Sequence, residues 1–354
     1  MKNNAIFHML VATTTLMSTV GISAAQTIYV PEGSANTVSL VDFKSGSVVN
    51  RFEGTEAVHG LALAPKKQLL VAGSISEMSD DIAQMSKPAG VSAEDHAAHH
   101  PSSNQKSMSG TTESKSLLTL IKSDTGEVLR KIEVPGPVHH VAVTPDERFA
   151  VATHLLGTGI SIVNLSNFQV EGFIPTGDNP NYLAFGEGSD VVYVSNAGNG
   201  TVSEVDLQRG IVRRNLLAGS SPEHMITDLP SGLLYVADAS EGQVIELSLK
   251  TGNIQRTFYV GGEIHGLGLT PDREHMLVTV TDEDRLSSID LESGEVSSKT
   301  LSPAPYHLTM VQGTGSALVS SRADSVVWAV DVNDLSVSKQ IAIEGEGHQM
   351  VSLP

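Results

Sequence analysis

Cysteine is absent from this chain of 354 residues. Its absence excludes disulfide bonds, thiolate metal ligands, a cysteine nucleophile and lipid attachment through a cysteine. Basic residues are few, because 22 Lys and Arg stand against 40 Asp and Glu, which gives a formal net charge of −18. A field of that sign attracts cations and repels polyanions, so nucleic-acid binding is not expected. The acidity can also serve only to keep an exported protein soluble.

The first 25 residues have the pattern of a secretory signal peptide. Lys2 precedes an apolar stretch from Ala5 to Ile22, and Ser-Ala-Ala stands directly before Gln26. Polar residues interrupt the apolar stretch, and this favours a cleaved signal over a retained membrane anchor. We therefore expect residues 1–25 to be removed, a periplasmic location and no insertion into the membrane.

A repeat of about forty residues runs along the rest of the chain. Each copy reads as four short strands separated by Gly, Asn, Asp and Ser turns. A histidine stands six residues before a proline in five copies, and Asn181 and Tyr306 take that place in two others, the second followed by His307. The five histidines are His59, His139, His224, His265 and His348.

This periodicity predicts an all-β fold, a single β-propeller over residues 26–354. The N-terminal part supplies three strands of one blade, and the C-terminus supplies only its first strand. Pairing the two ends would remove the exposed sheet edges of an open array. The sequence therefore predicts a seven-bladed β-propeller of four-stranded blades, with the ring closed by N-terminal strands that pair with the C-terminal strand.

An insertion at 74–114 separates the second and third strands of the second blade. It is rich in Ser, Ala, Asp, His and Met and poor in apolar residues, so we expect it to be mobile when no ligand is bound. Histidine-rich tracts of this composition favour metal binding, although an inert, solvated loop is the alternative. Its candidate ligands are His96, His99 and His100.

Segments such as VVYVSNAGNGTVSEVDL and LLYVADASEGQVIELSL resemble the YVTN-type propeller repeats of bacterial exported proteins. The resemblance covers nearly all of the chain after residue 25. It implies the seven-bladed fold, but it does not select a function, because this architecture serves lactonases, haem-binding domains, metal proteins and scaffolds.

The predicted topology places the repeated histidines and the insertion on the same face of the disc. Neutral imidazoles there could bind Zn²⁺ or Cu²⁺, and the methionines of the insertion would suit Cu⁺. Histidines on opposite sides of a seven-bladed ring are expected to lie far apart, so two or three adjacent blades with the insertion form the expected ligand set. The candidates on the propeller are His59, His139, His140, His224, His265, His307 and His348.

Several other residues on this face are candidate ligands or partners that fix an imidazole tautomer. His154 is an additional candidate, whereas His275 is expected on the opposite face. The acidic candidates are Glu223, Glu263, Glu346, Asp238, Asp282, Glu283 and Asp284.

A histidine-bearing propeller mouth with a His-rich loop resembles the zinc metallochaperones that accompany periplasmic zinc-binding proteins of ABC importers. That resemblance implies a non-enzymatic protein that captures zinc and passes it to a periplasmic metal-binding protein of an ABC importer, whereas the methionines of the insertion favour Cu as the alternative cargo. A second resemblance is to the propeller of nitrous oxide reductase, where histidines at one mouth hold a copper cluster. This chain lacks the cupredoxin domain and cysteine ligands that accompany that propeller.

Three other interpretations remain open at this stage. The repeated histidines can cap strands and hydrogen-bond neighbouring blades without any metal. The protein can be a metal-dependent hydrolase of the lactonase kind, with carboxylate and Asn ligands at the mouth, although no Ser-His-Asp spacing is visible. It can also be an interaction scaffold.

Overall fold

A computed structural model of the protein describes residues 26–77 and 114–353. These residues form seven antiparallel sheets of four strands each, arranged as the blades of a ring. The seven-bladed propeller predicted from the repeat is thereby confirmed. Within the described ranges no helix has the length and apolar character that a membrane crossing requires.

We number the blades in chain order and give the inner strand of each blade first. Blades 1 and 2 contain β28 (Val351–Leu353), β1 (Thr27–Glu32), β2 (Thr37–Asp42) and β3 (Ser47–Phe52), then β4 (Val58–Ala64), β5 (Leu69–Ser74), β6 (Lys115–Lys122) and β7 (Val128–Pro135). Blades 3 and 4 contain β8 (Val138–Val143), β9 (Phe149–His154), β10 (Gly159–Asn164) and β11 (Gln169–Pro175), then β12 (Pro180–Phe185), β13 (Val191–Asn196), β14 (Thr201–Asp206) and β15 (Ile211–Leu217).

The remaining three blades follow the same plan. Blades 5 and 6 contain β16 (Pro222–Asp228), β17 (Leu233–Asp238), β18 (Gln243–Ser248) and β19 (Ile254–Tyr259), then β20 (Ile264–Leu269), β21 (His275–Val280), β22 (Arg285–Asp290) and β23 (Val296–Thr300). Blade 7 contains β24 (Pro305–Val311), β25 (Ser316–Ser321), β26 (Val326–Asp331) and β27 (Val337–Ala342). Short 3₁₀ turns lie at Gly33–Ala35, Pro65–Lys67 and Ala239–Glu241.

Apolar side chains between neighbouring blades form the core. Between blades 1 and 2, for example, Tyr29 and Phe52 pack with Leu61 and Leu70, all at most 3% exposed. Comparable clusters join the other blades around the ring. Because successive strand residues point to opposite faces, each sheet presents one apolar face to each of its two neighbours. This packing holds the inner strands around a common axis.

The two ends of the chain meet in blade 1, as predicted. β28 pairs with β1 through Thr27↔Leu353, Ile28↔Ser352 and Tyr29↔Val351. Glu32 reinforces this short pairing: it is fully buried, and its carboxylate accepts hydrogen bonds from the backbone N–H groups of Glu344 and Gly345. The C-terminal segment is thus held to β1 by charge-assisted bonds as well as by the strand ladder.

We expect Glu32→Ala to lower the free energy of unfolding by about 3 kcal/mol, because it leaves buried N–H groups without their charged acceptor. Urea denaturation followed by circular dichroism measures this difference. Glu344→Ala is the matched control, since that glutamate is 59% exposed in its ion pair with Arg51 and its loss should change stability by less than about 1 kcal/mol. Equal effects of the two substitutions would contradict the role given to Glu32.

The insertion leaves blade 2 at the end of the sheet that carries His59. Val58 pairs with Ser74, so β5 ends beside the residue that precedes His59. Residues 78–113 lie outside the described part of the chain, and with them lie the predicted ligands His96, His99 and His100. The predicted location of the insertion on the histidine-bearing face therefore agrees with the point at which it leaves the sheet.

Candidate metal centre

A register shift interrupts the pairing of the first two strands in blades 2 to 7, at the position of the repeated histidines. In blade 3, Val138 pairs with His154 and Val141 with Ala152, so two residues lie opposite one. Such a bulge breaks the regular alternation of side chains and redirects them. It explains how both His139 and His140 can belong to one site.

The bulges define two positions, which we call first and second. In blades 2 to 7 the first position holds His59, His139, Asn181, Glu223, His265 and Tyr306, and the second holds Gly60, His140, Tyr182, His224, Gly266 and His307. The predicted register is therefore wrong for His224, which is equivalent to His140 and His307 rather than to His139. The reason is that β16 pairs as far as Asp228, opposite Leu233, so the proline after it does not mark the same place in the blade.

A buried hydroxyl lies opposite the bulge in four of these blades. In blade 3, Thr153 accepts a hydrogen bond from the N–H of His140 at 3.0 Å and donates one to the carbonyl of Asn181 in blade 4 at 2.8 Å. In blade 6, Thr279 makes the same two contacts, to Gly266 and Tyr306. The hydroxyls satisfy N–H groups that the bulge removes from the ladder. Ser195 and Ser320 are the other members of this set.

Two glycines allow neighbouring inner strands to approach closely. A Cβ added to Gly60 would lie 2.8 Å from the carbonyl oxygen of His139, and one added to Gly266 would lie 2.6 Å from that of Tyr306. Both distances are shorter than real Cβ contacts, so only glycine fits at these places. The His-Gly pairs of blades 2 and 6 therefore bring an imidazole and a bare backbone against the next blade.

Seven imidazoles meet at the axis of the ring. His59 lies next to His139 and His348, with ring centroids 4.6 and 4.3 Å apart, and His224 lies 4.3 Å from His265. His140 and His307, from nearly opposite blades, are only 5.5 Å apart. The expectation that opposite histidines are too distant is therefore wrong, because the bulges point them inward. The histidine cluster consists of His59, His139, His140, His224, His265, His307 and His348, each at most 9% exposed.

The tautomers of three members are set by acceptor groups of a neighbouring blade, which is the next blade for His59 and His140 and the preceding blade for His265. Nδ1 of His59 lies 3.0 Å from the carbonyl of His139, and Nδ1 of His140 lies 2.9 Å from that of Asn181. Nδ1 of His265 lies 3.1 Å from the buried carboxylate of Glu223. Carbonyl and ionised carboxylate oxygens only accept, so Nδ1 carries the proton and Nε2 carries the lone pair. When Nδ1 is held by such a hydrogen bond, Nε2 is the nitrogen through which a histidine can ligate a metal ion.

The second-position histidines are all buried, at most 4% exposed. Nε2 of His140, His224 and His307 is buried and has no hydrogen-bond partner among residues 26–77 and 114–353. Burial first, and then the neighbouring imidazoles, lower the pKa of each of these three side chains well below 6.5. All three are therefore neutral near pH 7, which is the state that binds a metal ion.

Two groups of three imidazoles have ligand atoms close enough to share an ion. His59, His140 and His307 form one group, and His224, His265 and His307 form the other, with the nitrogen atoms of each group within 4.8 Å of one another. Both consist only of buried side chains. His139 and His348 pack against His59 but belong to neither group.

Tyrosines and carboxylates surround the cluster, and the sequence did not identify the tyrosines. Tyr306 stacks on His265 with centroids 3.9 Å apart, and Tyr182 stacks on His224 at 4.2 Å. Burial raises the pKa of Tyr182 to about 12. Burial, followed by the charges of Glu223, Glu263 and Glu346, raises the pKa of Tyr306 well above 10. Both phenols therefore remain protonated at neutral pH, and the three glutamates lie near Tyr306.

Gln349 holds the C-terminal segment against the inner strands beside the cluster. Its amide oxygen accepts from the N–H of Leu61 at 3.1 Å and from that of Val141 at 3.3 Å, and its Nε2 donates to the carbonyl of Val141. It also contributes a hydrogen bond to Tyr182. A single side chain from the last residues thus connects three blades next to His348, a contact that no local sequence pattern indicates.

Other predicted candidates have structural partners. His154 donates or accepts a hydrogen bond with Ser161 at 2.8 Å, stacks on Phe173, and has a pKa lowered to about 4 by burial; it joins neither imidazole group. Asp238, Asp282 and Asp284 accept hydrogen bonds from backbone N–H groups, such as that of Ser221 at 2.9 Å, and so hold the turns between blades. Glu283 pairs with Arg285 at 2.7 Å, on a half-exposed site.

Several solved structures share the fold at low sequence identity. A functionally unknown protein from Desulfotomaculum acetoxidans is 13% identical, with a TM-score of 0.69 over 92% of this chain and 98% of that one. Periplasmic gluconolactonase PpgL of Pseudomonas aeruginosa is 14% identical, with a TM-score of 0.67 over 93% and 99%. Hydrazine synthase of Kuenenia stuttgartiensis is 11% identical, with a TM-score of 0.66 over 88% and 93%.

These likenesses establish the architecture and leave the chemistry to the site itself. Among curated proteins, none matches the sequence significantly. The sequence profile described as YNCE-like beta-propeller matches residues 89–354, which is most of the chain. The YVTN-type repeats seen in the sequence, the seven four-stranded blades and this match agree, and the chain belongs to the YNCE-like β-propeller family.

Proposed function

We propose that this protein binds a transition metal, Zn or Cu, on the histidine cluster at the axis of its propeller. The observation that carries the proposal is the convergence of buried imidazoles: the nitrogen atoms of His59, His140 and His307 lie within 4.8 Å of one another, and so do those of His224, His265 and His307. Imidazole nitrogen suits both Zn and Cu, whereas thiolate ligands are excluded by the composition.

A purely structural role for these histidines explains the cluster less well. Buried polar atoms in proteins are nearly always hydrogen-bonded, and each exception calls for an explanation. Here Nε2 of His140, His224 and His307 is buried within one small volume without such a bond to any described residue. A metal ion would satisfy these lone pairs together, and a strand-capping role would not.

The proposed role in the cell is that of a periplasmic metallochaperone. In this proposal the insertion of blade 2 captures the ion with its His and Met side chains, and the propeller then passes it to a periplasmic metal-binding protein of an ABC importer. The point at which the insertion leaves blade 2, beside the strand end that carries His59, supports this arrangement. The negative charge of the chain would attract the cation.

A hydrolase is the competing proposal, and the likeness to PpgL concerns the fold alone at 14% identity. A Ser–His contact exists between Ser161 and His154, but both side chains are 0% exposed, so a substrate cannot reach the hydroxyl. Neither imidazole group includes the carboxylate and Asn ligands that the lactonase alternative would use. The site therefore favours metal binding over hydrolysis.

The test is metal content and affinity of the purified protein, by elemental analysis and then by titration of the metal-free form with Zn²⁺, Cu²⁺ and Cu⁺. We expect tight stoichiometric binding, and we expect His59→Ala/His265→Ala, which removes one ligand from each imidazole group, to weaken it at least about 100-fold, the upper range for loss of groups that support a metal site. His275→Ala is the control: this 41% exposed histidine forms a surface group with Asp272 and Glu274, so the variant reports any ion bound there instead of at the histidine cluster.

Two results would contradict this function. The first is a dissociation constant no tighter than about micromolar that is equal in wild type and in the double variant. It would mean that the histidine cluster has a structural role only. Efficient lactone hydrolysis that survives removal of the metal by a chelator and persists in the double variant would make the protein an enzyme with a site elsewhere.

A further inference from the structure

We propose that the histidine cluster holds two metal ions, one on each side of His307. This inference rests on the proposed function, because it specifies how the same site would be occupied. His59 and His140 provide the other ligands of one ion, and His224 and His265 provide those of the second. We refer to these as the blade 2–3 site and the blade 5–6 site, after the blades of the two unshared ligands.

The two sites are defined by their nitrogen atoms, which lie within 4.8 Å of one another inside each group. The ring centroids do not separate them, because His140 and His224 of different groups are only 5.1 Å apart. His59 and His140 have ring centroids 5.3 Å apart, and His224 and His265 have centroids 4.3 Å apart. His307 lies between them, 5.5 Å from His59, 5.5 Å from His140, 5.0 Å from His224 and 4.9 Å from His265. The shared imidazole is therefore about equally close to all four unshared ligands.

A single ion would leave part of the cluster without a function. Zn²⁺ and similar ions usually take four ligands at about 2.0–2.1 Å from nitrogen. The two groups contain five different imidazoles, and the buried, unpartnered Nε2 atoms occur in both, on His140 and on His224. One ion in either group would leave the other orphaned nitrogen unsatisfied, whereas two ions account for both.

The shared residue can serve two ions because an imidazole has two ring nitrogens. When both protons have left the ring, each nitrogen carries a lone pair, and the ring becomes a singly charged bridge. A neutral imidazole carries one N–H proton. Formation of the bridge releases this proton to solvent when the ions bind. The negative charge of the bridge also offsets part of the charge of the ions.

The surroundings of the two sites differ in charge. Glu223, 4% exposed, accepts the Nδ1 hydrogen bond of His265 in the blade 5–6 site, whereas the corresponding acceptors for His59 and His140 are neutral backbone carbonyls. A buried carboxylate behind a ligand raises its basicity and stabilises a divalent ion. We therefore expect the blade 5–6 site to bind divalent ions more tightly than the blade 2–3 site.

The experiment is titration of the metal-free full-length protein with Zn²⁺ alone and, separately, with Cu²⁺ alone, with stoichiometry from calorimetry and elemental analysis after desalting. Wild type should bind two ions per chain. His59→Ala and His265→Ala should each retain one, and His307→Ala should retain fewer than one. Glu223→Gln should lower the affinity of one ion about tenfold or more and leave the other unchanged. His275→Ala should behave as wild type.

Electron paramagnetic resonance of the wild-type protein tests the same proposal without any variant that could misfold. At one equivalent of Cu²⁺ the signal should correspond to one spin, and at two equivalents a bridge through His307 should couple the spins and reduce the signal below that value. One ion per chain, lost in both His59→Ala and His265→Ala, would overturn the two-ion proposal and leave the proposed function intact. A full two-spin signal would overturn the shared ligand, and no binding at all would overturn the proposed function.

Discussion

We expect the metal-free protein to lose about 5.5 kcal/mol of unfolding free energy between about pH 7.5 and pH 5.5, as four buried histidines would each contribute about 1.4 kcal/mol. One of them is His154, whose pKa is lowered to about 4 by burial. The pKa values of His140, His224 and His307 are lowered well below 6.5 in the folded state, first by burial and then by neighbouring imidazoles. The unfolded chain therefore takes up protons at these sites as the pH falls through about 6.5, and the folded chain does not. Stability is thus full above that pH and decreases below it.

Urea denaturation of the metal-free protein at a series of pH values measures this loss. The double variant His224→Gln/His307→Gln should retain about half of it, because two of the four buried histidines, His140 and His154, remain to titrate. His275→Gln should lose as much as wild type, since that side chain is 41% exposed. An unchanged pH dependence in the double variant would show that other groups, such as Glu223 beside the cluster, control the acid response.

The second large effect is stabilisation of the ring by metal. At free metal about 100-fold above the dissociation constant, we expect about 2.7 kcal/mol of added unfolding free energy for each ion bound. The ligands of the two imidazole groups come from blades 2, 3, 5, 6 and 7, which share no strand ladder. An ion between them would join blades that otherwise interact through side-chain packing.

Thermal and urea unfolding with and without added Zn²⁺ measures this stabilisation. The double variant His59→Ala/His265→Ala removes one unshared ligand from each group, so metal should change its stability by less than about 1 kcal/mol at the same free concentration. Excess chelator should return wild type to the metal-free value. An unchanged unfolding midpoint with saturating metal would mean that any bound ion lies outside the cluster or binds the unfolded chain equally well.

Local sequence was sufficient for the fold because a propeller blade is built from local pairings. Each strand pairs with its neighbour along the chain, as in Val191↔Asp206 of blade 4, and short turns join them. Short continuous apolar runs, as in Val191–Asn196, and the turns that follow them specify these pairings without reference to distant residues. Even the ring closure was predictable, because the N-terminal part supplies three strands of one blade and the C-terminus supplies the fourth.

The geometry of the site depended on contacts between blades. In blade 3 the N–H of His140 donates a hydrogen bond to the hydroxyl of Thr153 at the bulge. That hydroxyl donates in turn to the carbonyl of Asn181, 28 residues further along the chain in the next blade. A Ser or Thr does recur at the equivalent place in the second strands, as Ser195, Thr279 and Ser320. That recurrence is the sequence signal that could have indicated the bulges. It is missing in blade 5, where Ala237 takes this place, so it would not have corrected the register of His224.

The sequence by itself determined that the chain forms a closed seven-bladed ring, that it carries no thiolate ligand, and that imidazoles recur at the heads of its inner strands. Tertiary structure decided that histidines of blades 3 and 7 lie 5.5 Å apart, that Nδ1 of His140 is the protonated nitrogen, and that Tyr182 and Tyr306 enclose the cluster. The physical reason is that bulge, tautomer and convergence each require an acceptor or a close contact supplied by another blade, and such a partner is fixed only when the ring has closed.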